Sequence, residues 1–446
     1  MSNQILDKLR KKFSQKKVYI IGLGLQGGGV GLVNFFTDLG ARVTVTDQKT
    51  HHQLASSLKQ INNPDTEFLL GEDYLKNILQ GDFIIKGPSV PWNIPELIQA
   101  GQNKIPIDME MSFFAEYCPA KIIGITGTRG KSTTTMMVYG LLGKYSGKKT
   151  YLGGNIPGLS TIALLKEITI DDLVVLELPS WPLSGFHQKK ISPHIAVFTN
   201  FYPDHLNYYE NLENYLNDKK AIYQYQKNTD YLIINQSLKQ IVEKNSSQAK
   251  ILYFDKKSFP GKLKYLKGDH NQENASAAFT VSKIFNLNQE DSIDYLSNFR
   301  TLPYRQEIIR IINNVTFVND TTATTPTAVI KALEAFSDQP IILILGNTAK
   351  GLPIDELLTK LSLPAGIVMI KGSFADQLTP FITKAYKGKT TRIFADLRDA
   401  VETAYKLARQ LKTQSYVILS PGGSSFEMFT NEFDRGNRFN QIVSSL

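Results

Sequence analysis

Short apolar runs recur along the chain between longer stretches of helical periodicity. Residues 18–21, 42–46, 83–85, 122–126, 173–178 and 195–199 are rich in branched and aliphatic side chains, as strands buried on both faces require. Further runs lie at 231–234, 315–318, 341–345, 366–370 and 416–419, with amphipathic stretches such as 327–336 between them. Strands alternating with helices predict an α/β protein. Polar, proline-containing stretches near Pro106 and Pro303 divide the chain into three units with expected bounds 1–107, 108–302 and 303–446, each with its own strand series.

Composition narrows the function. At 446 residues the chain is too long for one ordinary core, and 42% hydrophobic against 20% charged residues excludes global disorder. The net charge of +9 is spread over scattered pairs such as Lys16 and Lys17 or Lys189 and Lys190. Nucleic-acid binding would need a concentrated basic stripe, so it is not expected; a modest positive field suits small polyanionic substrates. Cys118 is the only cysteine, which rules out an intrachain disulfide and points to a reducing compartment. Residues 18–36 are largely apolar and follow a basic stretch, but Gly22, Gly24, Gly27, Gly28, Gly29 and Gly31 interrupt them. Such a segment suits a strand, a turn and a helix start better than a membrane span, so no stable membrane insertion and a cytoplasmic location are expected.

Two glycine loops carry the chemistry. After the run at 18–21 come Gly22, Leu23, Gly24, Leu25, Gln26 and Gly27, and Asp47 ends the next run twenty residues later. This spacing matches a nucleotide-binding turn, with glycines admitting a diphosphate near a helix N-terminus and a carboxylate for a ribose hydroxyl. Close packing of a helix on a strand without any ligand is the other reading. The second loop follows 122–126: Gly127, Thr128, Arg129, Gly130, Lys131, Ser132, Thr133, Thr134, then a helical stretch at 136–142. Its amides can converge on phosphates, Lys131 can neutralise charge, and a hydroxyl can ligate magnesium. Ile125 stands where the strict phosphate-loop pattern has glycine, so this is a variant built on Gly124, Gly127 and Gly130.

From Gly124 to Thr133 the chain resembles the Mur ligases, ATP-dependent amino-acid ligases of peptidoglycan precursor synthesis. The resemblance extends through Gly153, Gly154, Asn155 and Ile156; Glu177 with Leu178, then Ser180 and Trp181; residues 200–206; and Lys219 to Tyr223. It continues in His270, Asn271 and Asn274, in residues 302–305, in Asn319 and Asp320, and in residues 419–426 followed by Arg435 and Gly436. Residues 419–426 are most similar to the D-glutamate-adding branch. No Asp-Asn-Pro-Arg segment is present, which disfavours the branch adding diaminopimelate or lysine.

The resemblance implies a Rossmann-like N-terminal domain for the UDP-sugar, a central phosphate-loop ATPase domain with a mostly parallel sheet, and a Rossmann-like C-terminal domain for the amino acid. It implies UDP-N-acetylmuramoyl-L-alanine and D-glutamate as substrates, ATP and Mg2+ as cofactors, and a monomer. Gly22, Leu23, Gly24, Asp47 and Asn155 would face the UDP-sugar. Gly127, Thr128, Gly130, Lys131, Ser132, Thr133, His270, Asn271, Asn274, Arg305 and Asp320 would hold ATP. Lys131, Glu177, His205 and Lys219 would be catalytic, with Ser132, Glu177, His205 and a carbamylated Lys219 supporting magnesium. Thr324, Lys350, Ser425 and Phe426 would cradle D-glutamate. Plain alternatives stand beside these roles: a strand-end carboxylate for Glu177, a loop histidine for His205, a solvated helix lysine for Lys219, a polar helix N-terminus for His270, Asn271 and Asn274, and a surface lysine with a serine-rich turn for Lys350 and Ser425.

The sequence also departs from the family pattern. Arg129 stands where Asn is usual, Pro179 where Ser is, Pro182 where Gln is, Tyr304 where His is, Thr322 where Lys is, and Glu432 where Phe is. These departures keep two other readings open: a related Mur or folylpolyglutamate-type ligase with another acceptor, and a weakened nucleotide-binding regulatory relative.

Overall fold

The computed structural model describes residues 2–25, 27–156, 159–204, 208–243, 247–300 and 303–446. The described residues form three sheets. The first comprises β1 (Lys17–Ile21), β2 (Arg42–Asp47), β3 (Glu67–Leu70), β4 (Phe83–Lys86) and β5 (Ile107–Asp108), in the order β3-β2-β1-β4-β5 and parallel throughout. The second comprises β6 (Lys121–Thr126), β7 (Thr150–Gly154), β8 (Leu173–Glu177), β9 (Ile195–Phe198), β10 (Tyr231–Asn235) and β11 (Lys250–Phe254). Its order is β11-β10-β9-β6-β8-β7, again all parallel. The third contains β12 (Glu307–Ile312), β13 (Val315–Asn319), β14 (Ile341–Gly346), β15 (Gly366–Ile370), β16 (Thr390–Phe394) and β17 (Ser415–Gly422), in the order β12-β13-β17-β14-β15-β16. Only β12 runs antiparallel to its neighbour there.

Every apolar run picked out in the sequence is an internal strand, and every strand the pattern missed lies at a sheet edge: β3, β5, β7, β11, β12 and β16. The cause is burial. Internal strands such as β4, β8 and β14 are buried at every position. Among the edges, β12 exposes Ile308 and Ile311, β3 exposes Glu67 and Phe68, and β5 is only two residues long. An edge strand is paired on one side only, so its sequence need not be continuously apolar.

The chain divides into two compact units. One holds Met1–Phe201, Tyr215–Asp255 and Ala277–Ser292; the other holds Tyr202–Asn214, Lys256–Ser276 and Ile293–Leu446. The first two sheets therefore lie in one unit, and residues on both sides of position 107 share a core. Phe13, Phe36, Phe83 and Phe113 meet there edge-on, with the rings of Phe13 and Phe36 centred 5.0 Å apart and those of Phe36 and Phe113 5.4 Å apart. Each such pair contributes about 0.5–1.5 kcal/mol beyond area burial. Phe113 belongs to the helix Glu110–Tyr117, which is rooted by Asp108: the buried carboxylate accepts from the Met109 amide at 2.8 Å and the Ser112 hydroxyl at 2.5 Å, and pairs with Lys189 at 3.0 Å. Burial pushes the Asp108 carboxyl up, and these partners oppose the shift.

Parallel strands leave their C-terminal ends together, and the helices that follow begin there. Glycines make the crowded turns possible. At Gly154 φ is 88°, and a Cβ would fall 2.2 Å from the Glu177 carbonyl oxygen. Gly147 has φ 68° but no atom within 4 Å of its would-be Cβ. Gly147→Ala is expected to cost about 1 kcal/mol from backbone strain alone. Gly154→Ala is expected to cost at least about 3 kcal/mol, because β7 must also move off β8. Urea midpoints of the two variants measure the difference; equal midpoints would show that the Glu177 carbonyl can retreat.

Candidate active site

In the first unit the central strand β6 delivers the second glycine loop. Ile125 pairs with Glu177 on β8 and Thr126 with Phe198 on β9, so the loop leaves the sheet between two flanking strand ends. Gly127 adopts φ 149°, and a Cβ there would lie 1.9 Å from the Thr199 hydroxyl. Gly130, at φ 78°, caps the helix Lys131–Tyr145, whose first-turn amides and dipole favour an anion. The loop is braced from β9's end: Asn200 accepts from the Arg129 amide at 2.8 Å through its side chain and from the Thr128 amide at 3.0 Å through its carbonyl. Its own amide group and the Thr199 hydroxyl both donate to the Arg129 carbonyl, at 3.1 and 2.7 Å.

Two lysines converge on one carbonyl. Lys131 donates to Gly127 O at 3.1 Å and Thr128 O at 3.0 Å, and Lys219, from the helix Leu212–Lys220, donates to Gly127 O at 2.9 Å. Lys219 is only 1% exposed and stacks 4.8 Å from the Tyr215 ring, whose hydroxyl meets that of Thr128 at 3.3 Å. Its neighbour Lys220 is half-buried. At the end of β8, Glu177 is 3% exposed, and its Oε2 has no hydrogen-bond partner among the described residues. A buried carboxylate oxygen left unpaired costs free energy unless a cation or donor satisfies it. A hard divalent cation with oxygen ligands fits that atom, and the hydroxyl of Ser132 lies on the first turn of the neighbouring helix. His205, the other expected metal ligand, lies outside the described residues.

The first glycine loop is held by its own acid. Gly22, Gly24 and Gly27 all have positive φ, at 95°, 62° and 92°. Both oxygens of the buried Asp47 are engaged by backbone: Oδ2 accepts from Gly24 N at 3.1 Å and Oδ1 from Lys49 N at 2.8 Å. Asp47 therefore shapes the loop as well as facing it. Leu23 is buried in the core at 1% exposure, which leaves only its backbone to a ligand. Asn155 is exposed, and its amide donates to the Glu177 carbonyl at 2.9 Å.

The second unit brings together the remaining expected residues. His270, Asn271 and Asn274 share the helix Asp269–Ile284, and Gln306 ties this cluster to Asp320. The Gln306 side chain meets His270 Nε2 at 3.3 Å and Asn271 Nδ2 at 3.4 Å, and its amide donates to Asp320 Oδ1 at 3.2 Å. Asn274 donates to Asn271 Oδ1 at 3.2 Å. Burial pushes the Asp320 carboxyl up to about 7, opposed by the Ser420 hydroxyl at 2.8 Å, the Gln306 amide and the Arg305 charge. Burial, helped by the Lys331 charge, lowers His270 to about 4, so the ring is neutral at neutral pH. Tyr304 and Gln306 both hold left-handed backbone, at φ 67° and 51°, on either side of Arg305. Non-glycine residues in that region carry strain that concentrates at functional sites.

Past the C-terminal ends of β13 and β14 in the third sheet, Lys350 donates to the Thr324 hydroxyl at 3.2 Å. Ser425 is buried and its carbonyl accepts from the Phe429 amide at 2.9 Å, whereas Phe426 is 72% exposed. Beneath them lies Arg435, fully buried, which donates to the hydroxyl and carbonyl of Thr321 at 2.9 and 2.7 Å, to Asn347 Oδ1 at 2.7 Å and to Gly423 O at 3.3 Å. All these acceptors are neutral. Burial lowers the guanidinium to about 9, with Glu432 opposing. Gln306, Asn200 and Arg435 had no assigned role from the sequence. Asn200 and Arg435 lay inside quoted motifs; nothing in local sequence marked Gln306, whose contacts come from residues at separations of 14 to 36.

Comparison with known proteins joins the two units under one description. Residues 16–108 match the Mur ligase MurD-like N-terminal domain, 125–288 the Mur ligase middle domain, and 304–423 the Mur ligase glutamate ligase domain. The UDP-N-acetylmuramoylalanine--D-glutamate ligase of Acetivibrio thermocellus is 34% identical over 100% of this chain and 99% of that protein. The protein of the same name from Clostridium acetobutylicum is 33% identical, over 98% of each. The crystal structure of the UDP-N-acetylmuramate-alanine ligase MurC from Thermotoga maritima matches with a TM-score of 0.61 at 18% identity, over 96% of this chain and 99% of that one, a likeness of fold. With its second glycine loop at the end of β6, three α/β sheets in sequence and relatives alike over their full length, this chain belongs to the Mur ligase family.

Proposed function

We propose that this chain is an ATP-dependent ligase that joins D-glutamate to UDP-N-acetylmuramoyl-L-alanine in the cytoplasm, as a step in peptidoglycan precursor synthesis. The observation that carries the reading is the meeting of Lys131 and Lys219 on the Gly127 carbonyl, with Glu177 Oε2 unpartnered among the described residues at the end of the adjoining strand, in a chain alike end to end to D-glutamate ligases. Residues 1–107 are read as holding the UDP-sugar, 108–302 ATP and 303–446 the amino acid.

A carboxylate resists an amine because its carbonyl is electron-rich and oxide is a poor leaving group. Phosphorylation removes both obstacles. The acceptor's carboxylate oxygen attacks the γ-phosphorus of ATP and ADP leaves; the resulting acyl phosphate is attacked at carbon by the neutral amine of D-glutamate, which loses a proton as phosphate departs. Catalysis is then mostly placement and charge cancellation. The loop amides of Gly127, Thr128 and Gly130, with Ser132 and Thr133, cradle the phosphates, and Lys131 turns from the loop carbonyls to the transferring group. Magnesium, when bound, supplies Lewis-acid neutralisation at the phosphates. Glu177 and Ser132, with His205 and a carbamylated Lys219, are the residues that would hold it. Gly22, Leu23 through its backbone, Gly24, Asp47 and Asn155 serve the UDP-sugar. His270, Asn271, Asn274, Arg305 and Asp320 are read as serving the nucleotide. Thr324 and Lys350 answer the carboxylates of D-glutamate, with Ser425 and Phe426 lining its site.

Phosphate release across a panel of D- and L-amino acids, with and without the UDP-muramoyl acceptor, tests the reading. Release is expected with D-glutamate and the acceptor together, with a hydroxylamine-trapped product from the acyl phosphate. Release only with L-glutamate and a folate would replace this reading with the folate-ligase one, and none under any pairing would leave a regulatory relative.

Lys219→Ala is expected to lower turnover by about a hundredfold or more, with partial recovery on adding acetate or another short carboxylate. Full turnover without rescue would remove Lys219 from the site.

Asp320 adds a dependence on pH. Between its ordinary value of 3.8 and about 7 the folded chain keeps a proton that the unfolded chain has lost, so this group makes stability fall as pH rises through that window. Asp320→Asn is expected to flatten that part of the urea-midpoint profile; a variant profile parallel to wild type would show that Asp320 is ionised throughout.

A further inference from the structure

The seam between the first two sheets contains a carboxylate that the reaction above does not use. Glu110 begins the helix Glu110–Tyr117 directly after β5. Its Oε1 accepts from the Ile162 amide at 3.3 Å, and the Thr161 amide also binds the carboxylate. Its Oε2 lies against Gly28, the first residue of the helix Gly28–Asp38 that follows the first glycine loop; a Cβ on Gly28 would sit 3.0 Å from that oxygen. One carboxylate thus spans the start of the first loop's helix and the start of the 3-10 turn Ile162–Lys166. Negative charge is favoured at both starts, where amides lack intrahelical acceptors.

The contact continues toward the phosphate loop. The Thr161 hydroxyl accepts from the Gly154 amide at 2.8 Å, and the next amide, that of Asn155, donates to the Glu177 carbonyl at 2.9 Å. Thr161 is fully buried. Glycines let the layers close on one another: a Cβ on Gly31 would fall 1.9 Å from the Ser160 hydroxyl, and one on Gly153 2.9 Å from the Thr161 methyl. Asp38 and Lys166 pair across the far end of the same seam. The path therefore runs from Gly28 through Glu110, Thr161 and Gly154 to Asn155 and Glu177, each link a close contact or a hydrogen bond. Burial pushes the Glu110 carboxyl up to about 7 against the two amides that hold it down.

We propose that Glu110 is a positioning residue for the UDP-linked acceptor, setting the first glycine loop and Asn155 in register with Glu177 through Thr161. The proposal rests on the reading of the first loop and Asn155 as the UDP-sugar site. Glu110 touches no reacting atom. It fixes where the acceptor's two ends lie relative to one another: the nucleotide at Gly22 to Gly27, and the activated carboxylate near Glu177. Losing it should loosen the acceptor and leave the nucleotide's grip on the second loop intact, because that loop is braced separately by Thr199 and Asn200.

The test is calorimetric binding of UDP-N-acetylmuramoyl-L-alanine and, separately, of ADP with magnesium to the full chain, neither of which needs turnover. Glu110→Ala is expected to weaken acceptor binding by about tenfold or more and to leave ADP binding within about twofold of wild type. Glu110→Gln keeps an oxygen for the Ile162 amide and is expected to recover most of the loss. Thr161→Val removes the next link with little change of volume and is expected to give the same split; if Glu110→Ala does not fold, this variant decides. Folded variants that bind acceptor like wild type, or that lose ADP as much as acceptor, overturn the proposal. Wild-type protein that binds ADP but no UDP-linked acceptor overturns the underlying reading of the first loop, and this proposal with it.

Discussion

The carbonyl oxygen of Gly127 is the point on which the first unit's site turns. It accepts from two lysines that arrive from different helices, and its residue holds a conformation at φ 149° that side chains rarely take. The same glycine is pressed against the Thr199 hydroxyl so closely that no Cβ fits. Everything around it follows from that closeness. The strand ends of β8 and β9 flank the loop, Asn200 pins its amides, and Glu177, with Oε2 unpaired among the described residues, ends the adjoining strand β8. A buried cation survives only with oxygen partners at hand; here those partners include the main-chain carbonyls of Gly127 and Thr128.

The second unit solves a different electrostatic problem. It buries an arginine and a carboxylate and half-buries a histidine near the C-terminal strand ends of one sheet without pairing the opposite charges directly. Arg435 is satisfied by neutral oxygens, Asp320 by a hydroxyl and an amide, and His270 by staying neutral. Such groups are expensive to bury, and the low dielectric that makes them so also strengthens their pull on a charged ligand. The left-handed residues on either side of Arg305 add conformational strain to the same stretch. Strain and desolvation sit together on the stretch that the proposed function assigns to the amino acid and the nucleotide.

How much of this was legible in the chain depends on burial and on range. Internal strands carry continuous apolar runs because both faces and both edges are covered, and all of them could be read directly. Edge strands carry weaker patterns because water takes one side of the ladder; β7, with two glycines in five residues, looks like a loop. The glycine loops were legible because strand, turn and helix are contiguous. Asp47 was legible as a site residue, yet its bracing of Gly24 was not, since spacing says nothing of which atoms a carboxylate meets. Gln306 was invisible: its importance arises only when a helix at 269–284, a loop and the end of β13 come together. Glu110 was missed likewise, being one acid among many until Gly28 and Ile162 close on it.

The antiparallel margin of the third sheet has a consequence of its own. β12 presents Ile308 at 49% and Ile311 at 67% exposure on a strand whose outer ladder has no neighbour among the described residues. Unpaired main-chain groups beside greasy side chains are a template for a stranger's strand, and Arg310 is the exposed charge set between those two isoleucines. A stretch of six residues thus offers an open ladder on which intermolecular strand pairing would start, far in kind from the glycine-built chemistry that gives the protein its task.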